Sequence, residues 1–142
     1  GINVTAMNRI IIAIFVVAAL QACTKDKAPA TINDPIPENA QSIRKGNFIN
    51  GVHFTSGSAN ILQVDGQKKL VLENFTTDNG PDLKVYLSND RRASMFILVG
   101  DLKAVSGNQT YSIVGMPDLA AYPYVLIWCQ QFGVLFGSAQ LQ

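Results

Sequence analysis

Leu83-Lys-Val-Tyr-Leu-Ser88 alternates with period two: Leu83, Val85 and Leu87 fall on one face, Lys84, Tyr86 and Ser88 on the other. Successive side chains of a strand point to opposite faces, so the pattern predicts a strand with one buried face. Tyr124-Val-Leu-Ile-Trp-Cys129 shows no polar alternation, which predicts a central strand covered on both sides. Within it Val125, Ile127 and Cys129 share one face, while Tyr124, Leu126 and Trp128 share the other. Tyr124 and Trp128 read as core anchors on that second face.

Outward from these two segments the chain reads as short strands punctuated by turns. Ten of the eleven glycines lie between Gly46 and Gly137. Further candidate strands are Val52 to Thr55, Ala59 to Val64, Lys69 to Phe75, Phe96 to Val99, Thr110 to Val114 and Val134 to Leu141. Val64-Asp65-Gly66-Gln67 sets an Asp-Gly pair between two apolar runs, a strong hairpin signal. Asn79-Gly80-Pro81-Asp82 and Gln130-Gln131-Phe132-Gly133 read as turns, and Pro117 to Tyr122 has room for one short helical turn. No longer stretch carries a helical period. The expected fold is all-β, a single antiparallel β-sandwich or barrel-like domain over residues 46–142.

The first 22 residues read as an address. Arg9 is followed by an apolar run from Ile10 to Leu20, about half the ~20 residues that a spanning helix needs. A charged start, a short apolar stretch and small residues are the parts of a secretory signal peptide. Leu20-Gln21-Ala22-Cys23 resembles a bacterial lipobox, in which the cysteine sulfur takes a diacylglycerol, acyl chains such as palmitate anchoring it. Gln21 departs from the usual small residue there. Residues 1–6 precede Met7 and read as a mis-called start or non-native extension. Residues 23–45 hold half of the six prolines and read as a semi-rigid tether. The expected location is the bacterial cell envelope, held to the membrane by the lipid, with Thr24 favouring the outer membrane if the cell has one.

Cutting before Cys23 leaves 120 of the 142 residues, with ten cationic and ten acidic side chains. That balance excludes a basic nucleic-acid footprint. If the Cys23 sulfur becomes a thioether, no disulfide is available and Cys129 is a lone exported thiol. Its place at the end of a central strand, beside a turn, is where sites are commonly built.

The body is similar to the electron-transfer DM-thirteen domain family. Pro81-Asp-Leu-Lys-Val-Tyr-Leu-Ser88 and Val125-Leu-Ile-Trp-Cys129 carry the resemblance most specifically. Gly46-Asn-Phe48, His53-Phe-Thr-Ser-Gly57-Ser-Ala59, Leu70-Val-Leu-Glu-Asn-Phe75, Leu102-Lys103, Gly107-Asn-Gln-Thr-Tyr111 and Phe132-Gly-Val-Leu-Phe-Gly-Ser-Ala139 complete it in order. The resemblance implies a β-rich fold and a characteristic cysteine, carried onto Cys129, acting as a redox thiol or as ligand to a prosthetic group such as haem.

His53, the only histidine, is the one imidazole available to join Cys129 at a cofactor or metal centre. The alternative is a strand-edge histidine bonded to backbone. Met95 and Met116 are candidate second axial ligands for a haem, and no Cys-x-x-Cys-His motif for covalent attachment occurs. Asp78, Asp82 and Asp90 match no calcium loop, and Asp82 is expected to bond backbone amides in its turn. Lys68-Lys69 and Arg91-Arg92 read as solvated loop charges. A single histidine and the lack of a Gly-x-Ser-x-Gly elbow argue against a hydrolase. Two functions remain: an electron carrier or thiol redox protein centred on Cys129, working with a redox partner protein, or a non-catalytic surface binding or structural module in which Cys129 is core.

Overall fold

The computed structural model describes residues 27–142. The signal segment and the Cys23 lipid site lie outside them. Eight strands follow in order: β1 Gln41–Asn50, β2 Thr55–Val64, β3 Gln67–Thr77, β4 Leu83–Ser88, β5 Phe96–Asp101, β6 Ser106–Ser112, β7 Tyr124–Cys129 and β8 Val134–Gln140. They form one antiparallel sheet in the order β5-β4-β7-β8-β1-β2-β3-β6, curled into a half-barrel.

The two diagnostic segments sit side by side. β7 is flanked by β4 and β8, and Leu83, Val85 and Leu87 stand opposite Cys129, Ile127 and Val125. All six face the core inside the curl, with Ile61, Leu70, Leu72, Phe75 and Phe136. The face assignments of β4 and β7 are thus as the sequence predicts, but β4 is buried on its second face too, where Tyr86 is 2% and Ser88 0% exposed. The other face of β7 is covered at its centre, where Leu126 is buried, but less so at its ends. Trp128 and Tyr124 are only half-buried there. Tyr86 stacks between Phe96 and Trp128, at 4.1 and 6.3 Å between ring centroids. Arg91, read as a solvated charge, lies 5.5 Å above the Tyr124 ring.

The Asp-Gly hairpin joins β2 to β3. Asp65 and Gly66 have φ of 50° and 74°, the left-handed pair that a two-residue loop matched to strand twist requires. Val52 to Thr55, expected to be a strand, is instead a loop closing on Thr55, and Val52 and Phe54 face solvent. β1 is the strand that the sequence reading omits. Its residues up to Asn47 pair with β2 and the rest with β8, so it joins the two halves of the curl. Phe48 alone among its residues is buried, and the partners on both sides hold an otherwise polar strand in place.

Gln41 to Lys45, expected to end the tether, therefore belong to β1. From Lys27 the preceding residues also lie against the domain. Ile32 and Asp34 donate their N–H groups to Ser106 and Asn108 carbonyls at 3.1 and 2.8 Å, and Val105 N–H donates to the Pro29 carbonyl at 3.0 Å. The arm covers the outer edge of β6, an edge that would otherwise offer unpaired backbone groups. Asp34 anchors it: its carboxylate accepts from Thr110 N–H at 3.0 Å and pairs with the Lys103 ammonium at 2.7 Å. These two bonds lower its pKa, the Lys103 bond most.

Candidate functional site

Cys129 ends β7 with its side chain turned into the curl. Its Sγ–H donates to the Pro81 carbonyl at 3.0 Å. Pro81 belongs to the Asn79–Asp82 turn between β3 and β4. The bond requires the protonated sulfur, since a thiolate has no hydrogen to offer a carbonyl. The residue is 1% exposed, so the thiol is sealed in this conformation.

A β-bulge shapes the neighbouring wall. Ile127 stands opposite Gly137 and Trp128 opposite Leu135, which leaves Phe136 as the extra residue of β8. Bulges of this kind re-aim a side chain, and here Phe136 enters the core at 3% exposure. The bulge also recruits the β1–β2 loop: Gly51 and Val52 donate N–H groups to the Phe136 and Leu135 carbonyls, each at 2.8 Å. That brings His53 over the Phe136 ring, with centroids 4.1 Å apart and planes inclined by 32°. Gly80 closes on the same ring, where a Cβ would stand 2.6 Å from its tip.

His53 is fixed from its other side by Asp78. The carboxylate only accepts, so Nδ1–H donates to Asp78 Oδ2, at 3.2 Å, and the same oxygen receives the Phe54 N–H at 3.3 Å. In the neutral ring this leaves Nε2 as an acceptor.

Cys129 and His53 line one cavity of about 290 Å³ with Val52, Asn79, Pro81, Phe132, Val134 and Phe136. No hydrogen bond joins the two, since Cys129 bonds Pro81 and His53 bonds Asp78. The two residues thus share an apolar chamber with an acid-supported imidazole on one wall. Phe136 was not among the residues singled out beforehand, because a bulge leaves no mark in residue order. Asp78 reads in the sequence only as one of three aspartates that match no calcium loop.

The remaining candidates are dispersed. Met95 lies just before β5, by the Ser88 end of β4, and Met116 lies between β6 and β7; neither lines the Cys129 cavity. Asp82 pairs with Lys84 at 2.9 Å, not with backbone amides. Lys84 also bonds Asp101, and both partners raise its pKa, Asp101 more. Asp90 is the residue that caps a turn, accepting from Arg92 and Ser94 N–H groups at 2.9 and 3.1 Å. Among the described residues no three His, Cys, Asp or Glu side chains gather at one point. A haem does not fit this chamber as built: its volume is at the low end of pockets for drug-sized molecules, and the methionine ligands stand elsewhere.

Fold and site together define a small all-β module with one enclosed thiol facing a mostly apolar cavity. Residues 47–141 match the model of the family described as Electron transfer DM13, and the chain belongs to that family. No curated protein and no solved structure matches it.

Proposed function

We propose that the chain is a lipid-anchored envelope protein whose domain performs redox chemistry at the Cys129 thiol. One observation carries the thiol assignment: Cys129 and His53, the two candidate groups 76 positions apart in sequence, line the same cavity. Family membership supports a redox role in general terms. The Leu20-Gln-Ala-Cys23 segment after an apolar run supports the anchor.

The chemistry available to one thiol is exchange with a disulfide. Cys129 must first release its bond to Pro81 and lose its proton, for which His53 Nε2 is the acceptor on the cavity wall. The thiolate then attacks one sulfur of a small or protein-borne disulfide. That S–S bond breaks, a Cys129 mixed disulfide forms, and the other half leaves as a thiol carrying the proton. Cys129 is oxidised and the incoming disulfide reduced. A second disulfide-exchange step with an external thiol restores the resting form.

A different observation favours the second reading. At 1% exposure within the apolar cluster, Cys129 has the surroundings of an inert core residue, and the domain is then a binding or structural module.

The detergent-solubilised full chain distinguishes the two. Wild type and Cys129→Ser are treated with a neutral aromatic disulfide, natively and in denaturant, while mass spectrometry reads Cys23. The redox reading expects a lipid on Cys23 and one thiol reacting natively faster than the protein unfolds, absent from Cys129→Ser. A thiol that reacts only at the unfolding rate sinks it and leaves the core-residue reading.

A further inference from the structure

The described chain begins at the wall of the Cys129 cavity. Lys27 forms an antiparallel bridge with Pro81, and the Ala28 carbonyl accepts from Asn79 Nδ2 at 3.1 Å; Pro81 and Asn79 both line the cavity. Cys23 precedes Lys27 by four residues, which span at most ~14 Å when fully extended.

The domain is longer than that reach. β2 and β3 run from Thr55 and Thr77, beside the His53–Asp78 pair, to the Asp65–Gly66 hairpin. At ~3.3 Å per residue this is about 30 Å. A lipid on Cys23 is therefore tied to the cavity end of the half-barrel and not to the hairpin end. At the cavity end the rim is apolar and open to solvent: Val52 is 74%, Phe54 51% and Phe132 66% exposed. Of the aspartates at this end, Asp78 pairs with His53, and Asp82 and Asp101 both pair with Lys84, so the attraction rests on the apolar rim and needs no anionic lipid.

We propose that the cavity end docks on the bilayer surface, Val52 and Phe132 seated at the headgroup–acyl boundary and the mouth of the Cys129 chamber facing the membrane. This rests on the lipid-anchor reading of Cys23 but not on the redox reading of Cys129. The arrangement supplies the second membrane contact that adds to a lipid anchor. It also explains why large apolar side chains stand exposed beside the point where the chain leaves toward its anchor.

Tryptophan placed at either end tests it. Val114, 89% exposed beside the hairpin end, is the control position. Full-length lipidated Phe132→Trp, Val52→Trp and Val114→Trp chains are inserted into vesicles of neutral phosphatidylcholine with brominated acyl chains, and wild type supplies the Trp128 baseline. Quenching of Phe132→Trp and Val52→Trp at least twofold above that baseline is expected, with Val114→Trp unchanged. Vesicle flotation is scored separately. A chain that fails to float overturns the anchor and the docking together. One that floats with no added quenching at Phe132 and Val52, or with quenching at Val114, overturns the docking alone. Shielding of both cavity-end indoles from aqueous acrylamide without bromolipid quenching assigns the rim to a protein contact and also overturns it.

Discussion

Replacing Phe136 with alanine tests the construction of the chamber in one step. The ring is 3% exposed, stacks on His53 at 4.1 Å and leaves no room for a side chain at Gly80. Burying an aromatic of this size contributes about 1.5–3 kcal/mol by transfer alone. Truncations of buried Phe cost ~3–5 kcal/mol once the unfilled volume is counted. Because this ring borders an existing cavity, water enters the space it leaves, and the lower end, about 3 kcal/mol, applies. Against a total of ~5–15 kcal/mol the variant stays mostly folded at room temperature. Its melting temperature falls by ~12 °C, at ~4 °C per kcal/mol for a domain of this length. Urea denaturation followed by Trp128 fluorescence reads the first quantity. The reaction rate of Cys129 with a neutral disulfide reads access to the chamber, because removing the ring opens a path to the sulfur. A rise of about tenfold or more is expected after correction for the unfolded fraction. A stability loss under ~1 kcal/mol would mean the ring does not seal the chamber. An unchanged thiol rate would mean that access to Cys129 runs elsewhere.

Two further outcomes probe the arm that covers β6. Gly107 has φ of 102°, and a Cβ there would stand 1.7 Å from the Ile32 carbonyl oxygen. Gly107→Ala therefore loses ~2–4 kcal/mol through backbone strain and displacement of the arm, read as a lower denaturation midpoint and faster protease cleavage between Pro29 and Asp34; a change within about 0.5 kcal/mol contradicts the docking of the arm. Asp34 titrates below its ordinary value of 3.8 in the folded protein, so its contribution is fully present above that value and lost as pH falls through the depressed one. Asp34→Asn should be less stable than wild type at pH 6, and the gap should close toward pH 2; a gap that stays constant in parallel denaturation curves refutes the assignment.

Where burial decided a strand, the sequence told it plainly. Leu83, Val85 and Leu87 repeat at period two because one face of β4 meets the core, and Val125, Ile127 and Cys129 do so on β7. Where neighbours decided it, the sequence was mute. Gln41 to Asn50 carries one buried side chain, Phe48, and is a strand because β2 and β8 supply its hydrogen bonds. Ser106-Gly107-Asn108 at the start of β6 has no apolar pattern either, since its strand pairing is completed by β3 and by the arm from Pro29 to Asp34. Val52 to Thr55 failed in the opposite sense. Its apolar character resembles a strand, but Val52 and Phe54 point to solvent at the rim.

The site was legible as two residue types and not as an arrangement. A lone thiol and a lone imidazole suggest joint action whatever their spacing, but their meeting depends on one inserted residue. Without the extra position at Phe136, β8 would continue in register from Ile127–Gly137 to Trp128–Phe136, turning Phe136 to the outer face of the sheet. The inward ring that His53 stacks on would be gone. The Leu135 and Phe136 carbonyls that hold Gly51 and Val52 would also shift by one place. The bulge therefore does two jobs at once, aiming the wall of the chamber inward and tying down the loop that carries the histidine. A variant that deletes one residue at this point of β8 should keep the Leu83–Cys129 pairing of β4 with β7 while separating His53 from the thiol's cavity, so that histidine and cysteine would no longer respond to each other's substitution.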